Sequence, residues 1–331
     1  MNLQAKEDKK KIKLKGVIRF RQYAFRALIC IVVILLIGFS YEKIGEYNDA
    51  KKYSPVGKMV TVNNHKINVY SKGKGNVTVV FSAGLSTPSA YADMYPLYNE
   101  ISKYTKTIVY DRPGHGWSEI TDVPRDIDSI TEEMHTALIK SGQKSPYILV
   151  GHSFASLPLI RFAQIYKNEV SGLVLIDGGA PEYYAKDGLL FPKKTVSKYK
   201  LLKSTGIARL VLYHTDYFSK DLKLLPDNLK QLYLGMTLKT MYNKNIIAEG
   251  NMSGADAKTV LVNGHLGNVP LRIFTSESSS LDAEWENSQE ALKKWSTNSM
   301  QIVVKGSTHA IHHTSPGVIN NEIKKLIKNQ K

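Results

Sequence analysis

Cysteine is almost missing from this 331-residue chain: the single one, Cys30, lies inside an apolar run. That excludes an intramolecular disulfide framework, a cysteine-based zinc site and catalysis by a cysteine nucleophile. Acidic residues are also scarce, 29 Asp and Glu against 45 Lys and Arg, for a formal net charge of +16. No internal repeat is present, and no low-complexity tract beyond the serines at 278–280. With 43% hydrophobic and 22% charged residues, the composition is that of a globular protein. Wholesale disorder, collagen and multi-span membrane architectures are therefore excluded. The chain is long enough to bury the core of a full enzyme domain.

The positive charge invites a nucleic-acid reading, but its placement argues against one. Residues 1–26 hold nine Lys and Arg against Glu7 and Asp8, a net +7, which leaves +9 of the +16 for the remaining 305 residues. A basic block beside an apolar segment is a membrane-topology signal. We therefore expect a membrane and a small molecule as partners, and no nucleic acid. The apolar segment, 27–41, has 15 residues without a charge. As a helix it is roughly 22 Å long, short of the ~30 Å hydrocarbon core. Snorkelling by Arg26 and interfacial placement of Tyr23 and Tyr41 make a spanning helix feasible. The positive-inside rule then puts 1–26 in the cytoplasm and everything after Glu42 outside. A cleaved signal peptide is the alternative, with Gly38-Phe39-Ser40 the nearest small-x-small site. Residues 42–55 are polar and read as a linker.

Beyond the linker, 58–62 and 66–71 form a predicted hairpin around Asn63-Asn64-His65. Short all-apolar strands at 77–81, 107–110, 147–150 and 172–176 then alternate with helical stretches at 90–104, 129–140 and 154–168. This pattern predicts a mostly parallel sheet covered by helices on both faces. From 181 to 266 the alternation stops, and Leu, Tyr and Lys recur at helical spacing. It resumes with strands at 271–274 and 301–304 and helices at 284–295 and 316–328. We read a core of 56–180 and 267–331, interrupted by a helical cap at 181–266. Tyr183, Tyr184, Leu189, Tyr213, Met236 and Met241 are candidates to line an acyl pocket in that cap.

The chemistry concentrates around Gly151-His152-Ser153-Phe154-Ala155, where an apolar strand runs straight into a helix. Gly-x-Ser-x-Ala in this setting matches a nucleophile elbow, with small residues two positions either side of the serine. The N–H of Phe154, at a helix N-terminus, suits an oxyanion. Here the chain resembles the α/β-hydrolase superfamily, over about 56–331. Asp111-Arg112-Pro113-Gly114-His115-Gly116-Trp117-Ser118 is similar to that family's Asp-Arg-x-Gly-x-Gly-x-Ser loop, which we read as scaffold. Ser82-Ala83-Gly84-Leu85-Ser86 takes the place of its His-Gly-x loop, without the His. The resemblance implies Leu85 as the second oxyanion N–H donor.

A serine hydroxyl needs an adjacent base. The resemblance implies His309 in Gly306-Ser307-Thr308-His309, leaving His312 and His313 as surface or loop histidines. No metal is expected, because these three histidines have no cysteine or nearby carboxylate cluster to complete a site. The orienting acid stays open. The family's usual position after the seventh strand holds a serine here, so Glu277 or Asp282 would serve only from a shifted loop. Asp177, after the sixth strand, is the favoured candidate. The expected activity is hydrolysis of a carboxylic ester or related acyl bond by Ser153, His309 and Asp177, without a cofactor. The alternative is a catalytically silent, membrane-tethered binding protein on the same fold.

Overall fold

The computed structural model describes residues 3–186, 190–215, 222–278 and 282–330, with side chains from residue 13 onward. Its centre is one eight-stranded sheet in the order β1-β2-β4-β3-β5-β6-β7-β8. The strands are β1 (Lys58–Val62), β2 (His65–Lys72), β3 (Thr78–Ser82), β4 (Lys106–Tyr110), β5 (Tyr147–His152), β6 (Val170–Ile176), β7 (Leu271–Ser276) and β8 (Ser299–Val304). β1 pairs antiparallel with β2, and β2 with β4. All the other pairings are parallel.

The unbroken apolar runs follow from burial on both faces. Val79, Phe81, Ile148, Val150, Val174, Ile176 and Phe274 enter one core cluster, and Val80, Leu149, Leu173, Leu175 and Ile273 enter the other. Successive side chains on a strand point to opposite faces, so alternate residues feed alternate cores. Each such side chain stabilises the fold by about 1.5–3 kcal/mol. The first face is covered by α3 (Tyr95–Ile101) and α13 (Pro316–Lys328), and the second by α4 (Ile127–Lys140) and α5 (Ser156–Ile165). The stretch predicted as one helix at 90–104 is two, α2 (Ala90–Asp93) and α3, because Pro96 opens a new helix in its first turn.

Between β6 and β7 the described chain is helical: α6 (Pro181–Tyr184), α7 (Lys193–Ser204), α8 (Ile207–His214), α9 (Asp227–Thr240) and α10 (Lys244–Val262). The remaining helices are α11 (Ala283–Leu292) and α12 (Ile311–Thr314), which flank β8 in sequence. The N-terminal helix α1 runs from Leu3 to Lys52 and carries the apolar segment. It is the one helix among the described residues long and apolar enough to cross a membrane. The expected linker at 42–55 is therefore corrected: the helix continues to Lys52. Polarity suggested a break, but no proline occurs before Pro55, which disfavours helical backbone at Ser54.

α10 ties cap to core through two buried carboxylates, Glu249 and Asp256. Asp256 Oδ1 accepts the Ile127 N–H at 2.8 Å, at the start of α4. Its other oxygen has no hydrogen-bond partner among the described residues. Burial pushes this carboxyl up to about 7, against the opposing pull of the Ile127 N–H. Between the unfolded value near 3.9 and about 7, the folded state keeps a proton that the unfolded state has lost. Stability from this group thus falls as pH rises through that window, by up to roughly 1.4 kcal/mol per pH unit, and is flat above it. Asp256→Asn should gain stability relative to the parent as pH rises from 4 to 7. Urea unfolding of both proteins across that range is the check, and a pH-independent difference would refute the assignment.

Candidate active site

The site is built at the C-terminal ends of β5, β6 and β8. β5 ends at His152, and the next residue, Ser153, has φ 53°, the left-handed region that non-glycine residues occupy at a cost of about 1–3 kcal/mol. A single 3₁₀ turn, Ser153–Ala155, then leads into α5, so the expected helix at 154–168 is shorter and begins with this turn. The bend brings backbone and helix close together. A Cβ on Gly151 would lie 2.5 Å from Leu159 Cδ1 and 3.0 Å from Ala155 Cβ. The loop after β3 is equally close, since a Cβ on Gly84 would lie 3.3 Å from the Ser153 Cβ. Leu85 and Phe154, the expected oxyanion donors, are thus the residues following Gly84 and Ser153 in two segments that meet.

Asp177 also sits just past its strand, β6, with φ 46° and no solvent exposure. The Ser276 N–H donates to its Oδ1 at 3.0 Å, and the Ser276 hydroxyl donates to Oδ2 at 3.1 Å. The same Oδ2 lies 2.7 Å from His309 Nδ1. That bond puts the imidazole proton on Nδ1 and leaves Nε2 as the basic nitrogen. His309 is half-exposed and, with Ser153, Ser278, Asp282 and Trp285, lines an open cleft of about 380 Å³. The two other candidate acids make contacts of their own. Glu277 Oε2 accepts the Gly306 N–H at 2.8 Å, and Asp282 caps α11 through the N–H groups of Glu284 and Trp285.

His312 and His313 are not surface residues. Both are buried, and their Nε2 atoms each lie 3.1 Å from an oxygen of Asp93, which holds them in the core. Burial would push the Asp93 carboxyl up, but these two imidazoles outweigh it and hold it well below the usual range. His152 packs between His309 and His312 with its ring tilted to both, ring centroids 4.6 Å from each. Its Nε2–H donates to the His309 carbonyl at 3.0 Å and so fixes the backbone of the cleft histidine. Burial, reinforced by His312 and His309, keeps the His152 ring neutral. Asp93, His152 and His312 offer ligand atoms within 4.8 Å of one another, a carboxylate–imidazole grouping that sequence spacing did not reveal. Both Asp93 oxygens in it already bond an imidazole.

Of the cap residues proposed to line a pocket, Tyr184 packs edge-on against Phe154 and Tyr183 against Trp285. Tyr213 instead reaches Asp49 of α1, and Met236 is buried in a cluster with Trp117 and leucines of α9. Met241 lines a groove with Phe39 and Lys200. Leu189 lies outside the described residues.

Arg112, in the loop read as scaffold, holds the backbone of the loop after β3. Its guanidinium donates to the carbonyls of Ala83 at 2.6 Å and Gly84 at 3.1 Å, directly before Leu85. Its Nε bonds Glu249 of the cap at 2.9 Å. Burial opposes ionisation of Glu249, but Arg112, His115 and Arg125 outweigh it and lower its carboxyl. Burial and the nearby Arg112 charge bring His115 down to about 4.

A serine on a left-handed turn after the central parallel strand β5, with a carboxylate–imidazole pair from the ends of β6 and β8, defines a hydrolase-type α/β fold. The comparisons agree, and the chain belongs to the alpha/beta hydrolase family, whose model matches residues 79–322. It is 30% identical to YbdG of Bacillus subtilis (strain 168) over 238 residues, 70% of this chain and 73% of that one. Epoxide hydrolase VrEH1 from Vigna radiata superposes with a TM-score of 0.65 at 16% identity, covering 82% of this chain and 97% of that one. The enol-lactonase from Burkholderia xenovorans LB400 gives 0.61 at 15% identity, covering 82% and 100%. At these identities the two solved structures describe the fold.

Removing one partner of a buried ion pair leaves the other charge unpaired, at a cost of about 3–5 kcal/mol. Glu249→Ala should therefore lower stability by about that much, measured by urea unfolding. A loss below about 1 kcal/mol, the worth of an exposed pair, would show that Arg112 is satisfied without the cap.

Proposed function

We propose that the chain is a serine hydrolase that cleaves a carboxylic ester, or a related acyl bond, of a small or lipid-like substrate through an acyl-enzyme. The observation that carries this reading is the 2.7 Å bond from His309 Nδ1 to the fully buried Asp177, with the same imidazole lining the cleft that contains Ser153. His309 Nε2 takes the proton of Ser153 as its oxygen attacks the acyl carbonyl. Asp177 holds the tautomer and stabilises the imidazolium. The N–H groups of Leu85 and Phe154 stabilise the tetrahedral oxyanion, and His309 returns its proton to the leaving group. Water, deprotonated by the same imidazole, then attacks the acyl-enzyme and releases acid and Ser153. Epoxide hydrolases share the fold, but the serine at the elbow favours acyl transfer over chemistry from a carboxylate nucleophile.

α1 supports a location at a membrane, with 27–41 as the anchor, the basic residues 1–26 inside and the catalytic domain outside. A silent, membrane-tethered binding protein on the same fold is the competing reading.

Ser153→Ala should reduce hydrolysis of a short p-nitrophenyl ester by roughly 10⁶-fold, to background, without changing the unfolding curve. Retained turnover would overturn the nucleophile. A fluorophosphonate probe should label the parent and not Ser153→Ala, whereas no labelling of the folded parent would favour the silent protein. Asp177→Asn should lower turnover by about 10⁴-fold, and Glu277→Gln and Asp282→Asn should leave most of it. A silent Asp177→Asn would overturn the choice of acid.

A further inference from the structure

The cap helix α8 is amphipathic the wrong way round for a soluble surface. Its one Arg, Arg209, points inward and is 4% exposed, as is the neighbouring inward residue Leu212 at 8%. Ile207, Leu210 and Val211, spaced i, i+3 and i+4, form an outward apolar stripe, with Leu210 54% exposed. A surface helix ordinarily carries its charge outside and its apolar stripe within. Leu201, on the last turn of α7, adds to this face at 62% exposure.

The position of the stripe says what covers it. Arg209 faces inward because it pairs with two acids of α1, Glu42 at 2.9 Å and Asp49 at 2.8 Å. One turn further along α1 toward its apolar segment, the cap and the helix meet backbone to backbone. A Cβ on Gly38 would lie 2.1 Å from the Thr205 carbonyl oxygen, and one on Gly206 would lie 2.4 Å from the Gly38 carbonyl oxygen. Gly38 is three residues, about 4.5 Å of helix rise, inside the end of the apolar run at Tyr41. The turn between α7 and α8 therefore sits at the depth where that run ends. α7 also carries Lys193, Lys194, Lys198, Lys200 and Lys203 and no acid, and the first four are exposed. Apolar residues at the tip with lysines behind them match a lipid surface bearing anionic headgroups.

We propose that the α7–α8 hairpin is a second membrane contact, with Leu201, Ile207 and Leu210 seated in the acyl boundary of the leaflet beside α1. The lysines of α7 lie among its anionic headgroups. The cap is then held to the bilayer at two places, by α1 through the Arg209 pairs and by its own tip. This rests on the reading that 27–41 lies in the bilayer, and the test separates the two.

The full-length chain is reconstituted in phosphatidylcholine–phosphatidylglycerol vesicles carrying nitroxide-labelled acyl chains. A fluorophore on the native Cys30 reports the anchor. In a Cys30→Ser background, Ile207→Cys, Leu210→Cys and Val262→Cys carry the same label one at a time; Val262 is an exposed residue at the far end of α10. The labels at 207 and 210 should lose most of their emission to the lipid nitroxides and resist aqueous iodide, while the label at 262 behaves in the opposite way. Labels at 207 and 210 quenched by iodide and not by lipid, with Cys30 quenched by lipid, would overturn the second contact alone. No lipid quenching at Cys30 would overturn the anchor and this proposal with it.

Discussion

A carboxylate with no solvent contact fixes the geometry of the candidate site. Asp177 is held by the backbone and hydroxyl of Ser276 on the adjoining strand, and it holds the ring of His309 in turn. An ionised carboxylate in such a place is stable only if its oxygens are hydrogen-bonded, so the donors around it cannot be varied independently. The parallel register of β6 with β7 brings Ser276 beside Asp177, and β8 delivers the loop that carries His309. The sheet order is thus part of the site. Residues 132 positions apart in sequence share one short bond because β6 and β8, on either side of β7, both direct their C-terminal ends to this edge of the sheet.

The second organising element is ionic. Arg112 touches the carbonyls before Leu85 on one side and Glu249 of the cap on the other, so the loop beside Ser153 and the cap helix share one buried charge. Such pairs contribute little net stability but are costly to break. His152 acts on the other flank in the same spirit, bonding the His309 backbone while packing against His312.

Local sequence carried the elbow: an apolar strand meeting Gly-x-Ser-x-Ala needs only neighbouring residues to be recognised. It also carried the sheet, because two-sided burial leaves unbroken apolar strands. It could not choose among Asp177, Glu277 and Asp282, since spacing does not say which carboxylate is already engaged. The structure assigns Asp282 to a helix cap and Glu277 to the Gly306 N–H, facts that depend on how two loops close. The burial of His312 and His313 was hidden for a similar reason: their partner, Asp93, lies 219 and 220 residues away. In the expected linker, 42–55, the charges suggest solvent, but residues 42–52 continue α1, and Glu42 and Asp49 face Arg209 across a helix contact.

That last contact changes how the N-terminal helix relates to the rest of the chain. A flexible linker would let the globular part rotate freely about the apolar segment. A continuous helix through Lys52 places Gly38, Glu42, Gly45 and Asp49 on one face at rises of 1.5 Å per residue, and the cap helices α7 and α9 lie along α1. A Cβ on Gly45 would lie 2.3 Å from the Arg209 guanidinium, so this stretch of α1 is shaped to receive the cap. Arg209 is nearly buried between two carboxylates, and withdrawing it would strand the buried charge of Glu42. The cap is therefore locked in position against α1, and Glu249 and Asp256 help to tie the cap to the sheet.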